Sequence, residues 1–317
     1  MQKLLFTNAG RRTYLVQFAL ELQASGYPIE VHVSDCSVLS ASMHVSPRIF
    51  THVLPAVLED PDAYIQALFD LVARAGITLV FPLSDLDPLL LAQNRERFLD
   101  LGCRLVVASA DVIERCNDKR LTDSYCRDVG LRTPKSWFAL SDFDGAYPVL
   151  QKRIFGSGSV GLRHIHSQED LNGFVSGRDM LQETIDGDEF GLDILSSLEG
   201  DPVAVCVKQK LLMRAGETDK ARVVRDQTLE ELGWLIARTF RHIGNLDCDV
   251  LRARDGSLYC IDFNARFGGG YPTTHLAGLN YLKAIVDMDG GRPVSLPMEP
   301  RLISVMKGIS LHWFENS

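Results

Sequence analysis

The sequence lacks the patterns that identify several classes of protein. Its 317 residues contain no run of five or more like charges, and the net charge of −8 argues against nucleic acid or an anionic membrane as the main partner. No apolar stretch is long enough for a signal peptide or a membrane span, so we expect a cytoplasmic protein. The seven cysteines form no CxxC pair, which indicates buried, reduced thiols rather than disulfides or a zinc site.

Two familiar nucleotide-binding signatures are also missing. The turn after the first strand does not have the GxGxxG spacing, which argues against nicotinamide binding, and the phosphate-loop pattern GxxxxGK followed by Ser or Thr is absent. The composition is ordinary for a globular protein, with 46% apolar and 23% charged residues. Because the chain is longer than one core usually serves, we expect two or three compact units.

The first 108 residues alternate strands with helices, which predicts a parallel sheet with right-handed crossovers. The strands are expected at 3–7, 31–34, 77–82 and 104–108. Ligands of such sheets bind at the carboxyl ends of the strands, where the loops 8–12, 35–37 and 84–87 lie. Loop ends in α/β sheets are commonly polar, so a substrate site and ordinary surface loops both fit these residues.

A glycine- and serine-rich loop follows a strand that is predicted at 147–152. Its backbone N–H groups and hydroxyls suit phosphate oxygens, and Lys152 at the end of the strand adds positive charge. Taken alone, a flexible hairpin tip explains the loop nearly as well. Its place ahead of a pair of carboxylates favours a nucleotide.

Those carboxylates lie in a predicted hairpin at 245–272, whose two alternating runs are joined at Asp255-Gly256. An Asp-Gly pair at this place favours a type I′ turn with two loop residues. The turn sets the register of the two strands, and the apolar residues of the hairpin indicate that one side of it is covered.

Counting back from that turn places Asp249 opposite Asp262 and Asp247 opposite Asn264, with all four side chains on one face. Facing carboxylates repel each other, so a cation is expected between them. Carboxylate and amide oxygens are the ligands that suit Mg²⁺. The alternative interpretation is a solvated hairpin with ordinary surface acids.

Together these features resemble the ordered motifs of the ATP-grasp superfamily. The matching segments are 147–152, the glycine-serine loop, Gln182-Glu183, 186–189, Asp193, Asp249 and 261–266. The tail at 267–272, which reads FGGGYP, is similar to stand-alone members related to the large subunit of carbamoyl phosphate synthetase.

The resemblance implies an α/β and α+β architecture, the ATP-grasp fold. An N-terminal parallel-sheet pre-ATP-grasp domain is expected at 1–108. A small subdomain with a glycine-rich lid would occupy 109–180, and a C-terminal antiparallel-sheet subdomain with the metal site would occupy 181–317.

The resemblance also implies which residues contact the nucleotide. Lys119 and Lys152 would contact the phosphates of ATP. The lid over the phosphates would consist of Gly156, Ser157, Gly158 and Ser159. Gln182 and Glu183 match the hinge segment whose backbone recognises adenine. The ribose hydroxyls would be bound by Glu183 or Glu189.

Asp249, Asp262 and Asn264 match the metal ligands of the family, with Asp262 bridging two Mg²⁺ ions that Mn²⁺ could replace. Arg266 matches the arginine that stabilises the transferring phosphoryl group. The sequence departs from the family at two places. Asp262 is one methylene shorter than the usual glutamate, and Lys152-Arg153 replaces the usual Lys-Pro.

These assignments imply an ATP-dependent ligase that joins a small carboxylate to an amine or amino acid through an acyl phosphate, releasing ADP and phosphate. Two alternatives stay open. One is a carboxyphosphate- or carbamate-forming kinase, and the other is a catalytically silent nucleotide-binding protein. A homodimer is compatible with the sequence, since the N-terminal sheet could supply an interface.

Two further groups of residues leave their roles open. Six basic residues crowd the segment 208–225, which follows the predicted strand 203–207 and includes the predicted strand 222–224. They are Lys208, Lys210, Arg214, Lys220, Arg222 and Arg225. They suit either docking of an anionic substrate or a solvated hairpin. The proposed chemistry needs no histidine nucleophile, so His164, His166 and His242 are interpreted as surface or capping residues, and His275 is left open.

Overall fold

The structure is a computed structural model that describes residues 1–10, 12–156, 161–308 and 310–314. A parallel sheet is followed by two antiparallel sheets, which confirms the predicted α/β and α+β architecture. The domain boundaries near 108 and 180 stay predictions. Within the described ranges, no helix has both the length and the apolar character that crossing a bilayer requires.

The N-terminal sheet is parallel and has the strand order β3-β2-β1-β4-β5. Its strands are β1 (Gln2–Thr7), β2 (Ile29–Asp35), β3 (Phe50–Val53), β4 (Leu79–Pro82) and β5 (Arg104–Leu105). Its helices are α1 (Thr13–Ala24), α2 (Pro61–Ala75), α3 (Pro88–Gln93) and α4 (Arg95–Leu99). The sequence pattern misses β3, because this edge strand is mostly exposed and has no buried face to mark it.

Local signals in the sequence explain where α2 lies. The Asp60 side chain accepts a hydrogen bond from Ala63 N–H at its start, and Gly76 ends it in the left-handed conformation. Asp87, which precedes α3, does not cap that helix. It is buried and accepts hydrogen bonds from Thr7 Oγ1 (2.6 Å) and Tyr64 Oη (2.7 Å), so it fixes the loop after β4 against β1 and α2.

A small antiparallel sheet follows, with the strand order β6-β9-β7-β8. Its strands are β6 (Ser136–Trp137), β7 (Val149–Arg153), β8 (Arg163–Ile165) and β9 (Asp179–Glu183), and they follow the helices α5 (Ala110–Asn117) and α6 (Lys119–Asp128). Ser167 and Asp170 have the spacing that predicts a capping arrangement at the start of a helix. The capping box is present, but it begins a short 3-10 helix rather than an α-helix.

The large antiparallel sheet has the strand order β14-β13-β10-β11-β12-β15. Its strands are β10 (Gly187–Ser196), β11 (Pro202–Arg214), β12 (Glu217–Val223), β13 (Gly244–Ala253), β14 (Leu258–Asn264) and β15 (Ser304–Met306). The helices of this region are α7 (Gln227–Phe240), α8 (Tyr271–Leu276) and α9 (Tyr281–Asp289). Thr228 and Glu231 have the spacing that predicts a capping box for α7. This prediction is wrong, since Asp226 caps α7 through Leu229 N–H.

The large sheet buries one face against α7. Gly233 of this helix lies so close to the sheet that a Cβ atom there would approach Val205 Cγ1 to 2.5 Å. A second apolar core joins the large sheet to the N-terminal sheet, where Phe81 packs near Phe267 with ring centroids 6.4 Å apart. This core holds the loops after β1 and β4 beside the end of β14.

Candidate active site

The hairpin of β13 and β14 has the predicted register at the predicted metal ligands. Asp247 pairs with Asn264, and Asp249 pairs with Asp262. The two carboxylates therefore lie directly opposite each other, on the face of the sheet that α7 does not cover.

The predicted turn of this hairpin is wrong. Ala253 N–H donates to Ser257 O, so three loop residues separate the strands, and Gly256 has a φ of +86° while Asp255 does not have a positive φ. A type I′ turn needs a positive φ at both central residues. A bulge at Ile261 offsets the longer loop and restores the predicted pairs further along the strands.

Charged side chains cover this face of the large sheet across four neighbouring strands. They alternate with the residues that pack on α7, because successive side chains point to opposite faces. The polar members of the face are Glu189, Asp193, Lys208, Lys210, Asp247, Asp249, Asp262 and Asn264. Acids and lysines from distant parts of the chain thus share one surface.

Lys210 links two of the acids. Its Nζ lies 2.6 Å from Asp249 Oδ1 and 2.8 Å from Glu189 Oε1. Burial raises the pKa of Asp249 to about 7, although Lys210 opposes this effect. Burial therefore disfavours the ionised form of Asp249, and a further positive charge nearby would stabilise that form.

Two lysines approach the hairpin from the small sheet and its helices. Lys119, the first residue of α6, lies 3.5 Å from Asp262 Oδ1 and donates a hydrogen bond to Gly156 O at 3.0 Å. Burial, together with the nearby Lys119, lowers the pKa of Lys152 to about 8, and Asp262 and Asp249 offset part of that shift. Two lysines thus lie near the carboxylates. Such lysines suit the binding of a polyphosphate between the lysines and the carboxylates.

The oxygen ligands predicted for a metal are brought together on this face. Among the described residues, no three His, Cys, Asp or Glu side chains form a ready metal cage. The candidate set is instead two carboxylates and one amide: Asp249, Asp262 and Asn264. This set fits Mg²⁺, which is usually bound by one or two carboxylates and completes its shell with water and phosphate oxygens.

Arg266 is buried and is held by a residue from the N-terminal sheet. Its Nε and Nη2 donate to the two carboxylate oxygens of Asp85 at 2.7 and 2.9 Å, and Nη2 also donates to Asn264 Oδ1 at 3.1 Å. Asp85 raises the pKa of Arg266, which offsets the effect of burial. The sequence singled out Asp85 only as a member of the loop 84–87, because a pair so distant in the chain leaves no local signal.

A cavity of about 480 Å³ lies where these parts meet. Its lining comes from the loops after β1 and β4, from the end of α5, from the approach to the glycine-serine loop and from β14: Arg12, Ser84, Asp85, Leu86, Cys116, Asn117, Phe155, Gly156, Asp262 and Asn264. Of the loops predicted at the carboxyl ends of the N-terminal strands, 8–12 and 84–87 reach this cavity.

The residues predicted to bind adenine and ribose already have contacts within the protein. The Gln182 side chain donates to Ser136 Oγ at 3.0 Å, and Glu183 N–H donates to Lys135 O at 2.9 Å. Glu189 is paired with Lys210. Of the predicted lid, Gly156 is described, whereas Ser157, Gly158 and Ser159 lie outside the described residues.

Beside the candidate metal ligands lies a buried ion pair between Lys208 and Asp193, and Thr274 Oγ1 donates to the same carboxylate. Asp247 lies next to this pair and against Gly268, where a Cβ atom would come within 2.1 Å of Asp247 Oδ2. Glycine is therefore required at the start of the FGGGYP tail by close packing.

The structure changes the interpretation of the basic segment. It is a long hairpin of β11 and β12, not an open loop, and most of its basic side chains have partners within the protein. These partners are Asp193 for Lys208, Glu189 and Asp249 for Lys210, Asp219 for Arg214, Gln209 for Arg222 and Glu299 for Arg225.

One histidine differs from expectation, and another, which the sequence left open, has a packing role. His242 is fully buried and bonds to Ile194 O at 3.0 Å, so its interpretation as a surface or capping residue is wrong. His275 stacks on Phe18 with ring centroids 3.6 Å apart, which assigns it to packing between α8 and α1. His164 and His166 are exposed, as expected.

A parallel sheet and two antiparallel sheets that meet at one cavity are typical of the ATP-grasp class of folds. Comparison with family models agrees with this assignment. The model described as ATP-grasp domain matches residues 116–270, and the model described as PylC-like, N-terminal domain matches residues 4–106. The chain therefore contains an ATP-grasp domain that follows a PylC-like N-terminal domain, which confirms the resemblance seen in the sequence.

Solved structures show the same fold at low sequence identity. N5-carboxyaminoimidazole ribonucleotide synthetase from Thermotoga maritima is 16% identical, with a TM-score of 0.69 over 93% of this chain and 77% of that one. L-amino acid ligase from Bacillus licheniformis is 17% identical, with a TM-score of 0.69 over 91% and 74%. The biotin carboxylase domain of 2-oxoglutarate carboxylase from Hydrogenobacter thermophilus is 16% identical, with a TM-score of 0.72 over 95% and 72%. A comparison with curated proteins gives no match.

Proposed function

We propose that this chain is an ATP-dependent ligase that forms a carbon–nitrogen bond between a small carboxylic acid and an amine. The observation that carries the proposal is a cavity lined by Asp262 and Asn264. Lys119 contacts the first of these side chains, and Arg266 contacts the second. A carboxylate does not react with an amine at neutral pH, because it is anionic and has no leaving group. Phosphorylation by ATP gives an acyl phosphate, which the amine attacks with release of phosphate.

The residues of the site suit this transfer. Lys119 and Lys152 would bind the phosphates of ATP from the side of the small sheet. Asp249, Asp262 and Asn264 would hold Mg²⁺, which would neutralise phosphate charge when bound. Phosphoryl transfer depends mostly on positioning and electrostatic stabilisation, and these groups supply both.

Arg266 would stabilise charge on the phosphoryl group as it passes to the acid. Its ion pair with Asp85 holds the guanidinium in place before substrates bind, so little reorganisation is needed during the reaction. The lid predicted at Gly156, Ser157, Gly158 and Ser159 would cover the phosphates and exclude water that otherwise hydrolyses an acyl phosphate.

The adenine of ATP would lie against the backbone of Gln182 and Glu183 at the end of β9. This hinge role rests on the family resemblance. Glu183 and Glu189 stay the candidates for the ribose hydroxyls.

The named activities of the structural neighbours agree with the proposal. Two are a ribonucleotide synthetase and an amino acid ligase, and the third was determined with MgADP and bicarbonate. ATP with Mg²⁺ and small-molecule substrates are therefore proposed for this chain. The bicarbonate complex also favours a second candidate, in which bicarbonate is the acid and carboxyphosphate is the intermediate.

A screen of organic acids, bicarbonate included, against amines and amino acids tests the proposal. The chain is mixed with ATP and Mg²⁺, and each pair is scored for released phosphate and for a new amide mass. Amide formation from one acid and one amine is the expected result. Bicarbonate-dependent phosphate release that no amine changes would favour the second candidate, and no turnover with any pair would contradict both.

Substitution of Asp262 tests whether the hairpin face carries the chemistry. We expect Asp262→Asn to lower ATP turnover at least ~100-fold, because the amide cannot supply the charge that the metal and phosphates require. Asp188→Asn, an exposed acid on β10, is the matched control and should retain turnover. Normal turnover in a well-folded Asp262→Asn protein would contradict the assignment.

A further inference from the structure

Arg12 is a cation at the cavity that the proposed phosphoryl transfer does not use. It lies in the loop after β1 and lines the cavity across from Asp262 and Asn264. One end of its guanidinium is fixed, because Nη1 donates to Leu83 O. Ligands of parallel sheets bind at the carboxyl ends of strands, which is where Arg12 lies.

Within the described part of the chain, Arg12 forms no ion pair, and its Nε is buried without a hydrogen-bond partner. The nearby carboxylate of Asp85 is bonded through both oxygens to Arg266. Burial and the like charge of Arg266 lower the pKa of Arg12, and the acids close to it offset only part of that shift. Buried N–H groups without a partner are rare, so a missing ligand is the natural explanation.

The backbone around Arg12 adds to the positive field. Arg12 directly precedes α1, and this helix of 12 residues has neither a side-chain cap nor an acid in its first turn. Helix N-termini attract anions through their free N–H groups and the helix dipole. Two residues on, Tyr14 Oη donates to Gly268 O at 2.7 Å, which fixes this end of α1 beside the FGGGYP tail.

We propose that Arg12 anchors an anionic group of the substrate, a carboxylate or a phosphate that is separate from the phosphates of ATP. This inference rests on the proposed function and narrows it to substrates that carry such a group at the N-terminal wall of the cavity. The anion would satisfy Arg12 Nε, which is buried without a hydrogen-bond partner, and would place negative charge beside the guanidinium. Arg12 is thus a substrate-anchoring residue from outside the part of the chain that matches the ATP-grasp domain model.

Direct binding measurements test the proposal without requiring turnover. The wild-type chain, saturated with MgADP, is titrated calorimetrically with acetate, succinate and inorganic phosphate. We expect at least one of these anions to bind with 1:1 stoichiometry, and Arg12→Gln to weaken that binding at least tenfold while MgADP binds as before. Arg12→Lys should recover part of the affinity, since it retains the charge but not the planar guanidinium.

Arg48→Gln is the matched control, because Arg48 is an exposed arginine of the same parallel-sheet region and its loss changes the net charge equally. It should leave anion binding unchanged. Tighter binding of succinate than acetate would identify a second carboxylate as the anchored group, and preference for phosphate would identify a phosphate.

Equal binding of every probe by Arg12→Gln and the wild type would overturn the inference, as would the failure of all three anions to bind the wild-type MgADP complex. Failure of the proposed function has a different signature. In that case anion binding would depend on Arg12, but no acid and amine would yield an amide.

Discussion

Arg266 and Asp85 lie 181 positions apart in the chain, yet their side chains form a two-point ion pair. The sequence predicted Arg266 from a local motif, whereas Asp85 could be predicted only as one of several polar loop residues. Lys119 and Asp262 were each predicted as site residues, but no local pattern indicates that their side chains contact each other. Motifs in the sequence indicate the residue types and their chemistry. The packing of the sheets decides which charged residues from distant parts of the chain contact each other.

His242 shows the same limit, and it gives a prediction for stability. Its side chain is buried among apolar groups, and burial lowers the pKa of His242 from 6.5 to about 4. The unfolded chain therefore binds a proton more readily than the folded one. The stabilising contribution is complete above pH 6.5 and is lost as pH falls toward 4, by roughly 3 kcal/mol in total.

Urea unfolding at pH 7.5 and pH 4.5 measures this effect. We expect His242→Phe to be less stable than the wild type at pH 7.5, because Ile194 O loses its donor. Its free energy of unfolding should fall less between the two pH values, by roughly 3 kcal/mol. His164→Gln, an exposed control, should follow the wild type. An identical pH dependence in His242→Phe would contradict this account.

At the scale of single elements, the residue that caps the start of α7 differs from the one that the sequence pattern predicts. Thr228 and Glu231 look like a capping box in the sequence. The structure places the cap at Asp226, which also pairs with Arg252 at 2.5 Å. The ion pair with Arg252 holds the Asp226 side chain at the start of the helix. Arg252 lies on β13, so the local sequence around α7 does not reveal this partner.

Substitutions at this helix distinguish the two assignments. Asp226→Ala should lower the free energy of unfolding by about 1–2 kcal/mol, because it removes both the cap and the ion pair. Thr228→Ala should change it by less than ~0.5 kcal/mol, since Thr228 is exposed and does not cap the helix. Chemical denaturation of both variants is the measurement. A larger loss in Thr228→Ala than in Asp226→Ala would restore the sequence-based prediction.

Elements with a buried face were predictable, and those without one were not. The strands β1 and β4 have continuous apolar runs, as in a sheet covered on both sides, and β2 has the buried residues Val31 and Val33. The edge strand β3 has no such run, since Phe50 and Val53 are half exposed. Its parallel pairing with β2 appears only when the whole sheet is assembled.

At the scale of the whole molecule, the site depends on a core shared by two sheets. Phe267 lies directly after Arg266 and packs with Phe81 of β4 and Tyr271 of α8. This core keeps the loops of the N-terminal sheet against the end of β14. The order of the motifs predicted the three parts of the fold, but not that one apolar core would join the first part to the last.

Truncation of Phe267 tests this coupling. We expect Phe267→Ala to lower the free energy of unfolding by about 3–5 kcal/mol, because it removes a buried ring. Amide hydrogen exchange should show equal losses of protection in β1 and β13, since the shared core makes both sheets open together. Phe50→Ala, at a half-exposed edge position, should cost much less. Loss of protection confined to β13 would show that the two sheets open independently.

The bulge at Ile261 has a consequence for how this hairpin can change in evolution. Ile261 is the one extra residue of β14. The residues on either side of it pair with Asp249 and Val250, which are consecutive in β13. A lineage could lose Ile261 and keep every pair of the hairpin. A single deletion at Asp262 or Phe263 would instead change which residues on that strand face the site. Among descendants of this sequence, deletions should therefore be tolerated at Ile261. Selection should remove deletions in the residues that follow it on the strand.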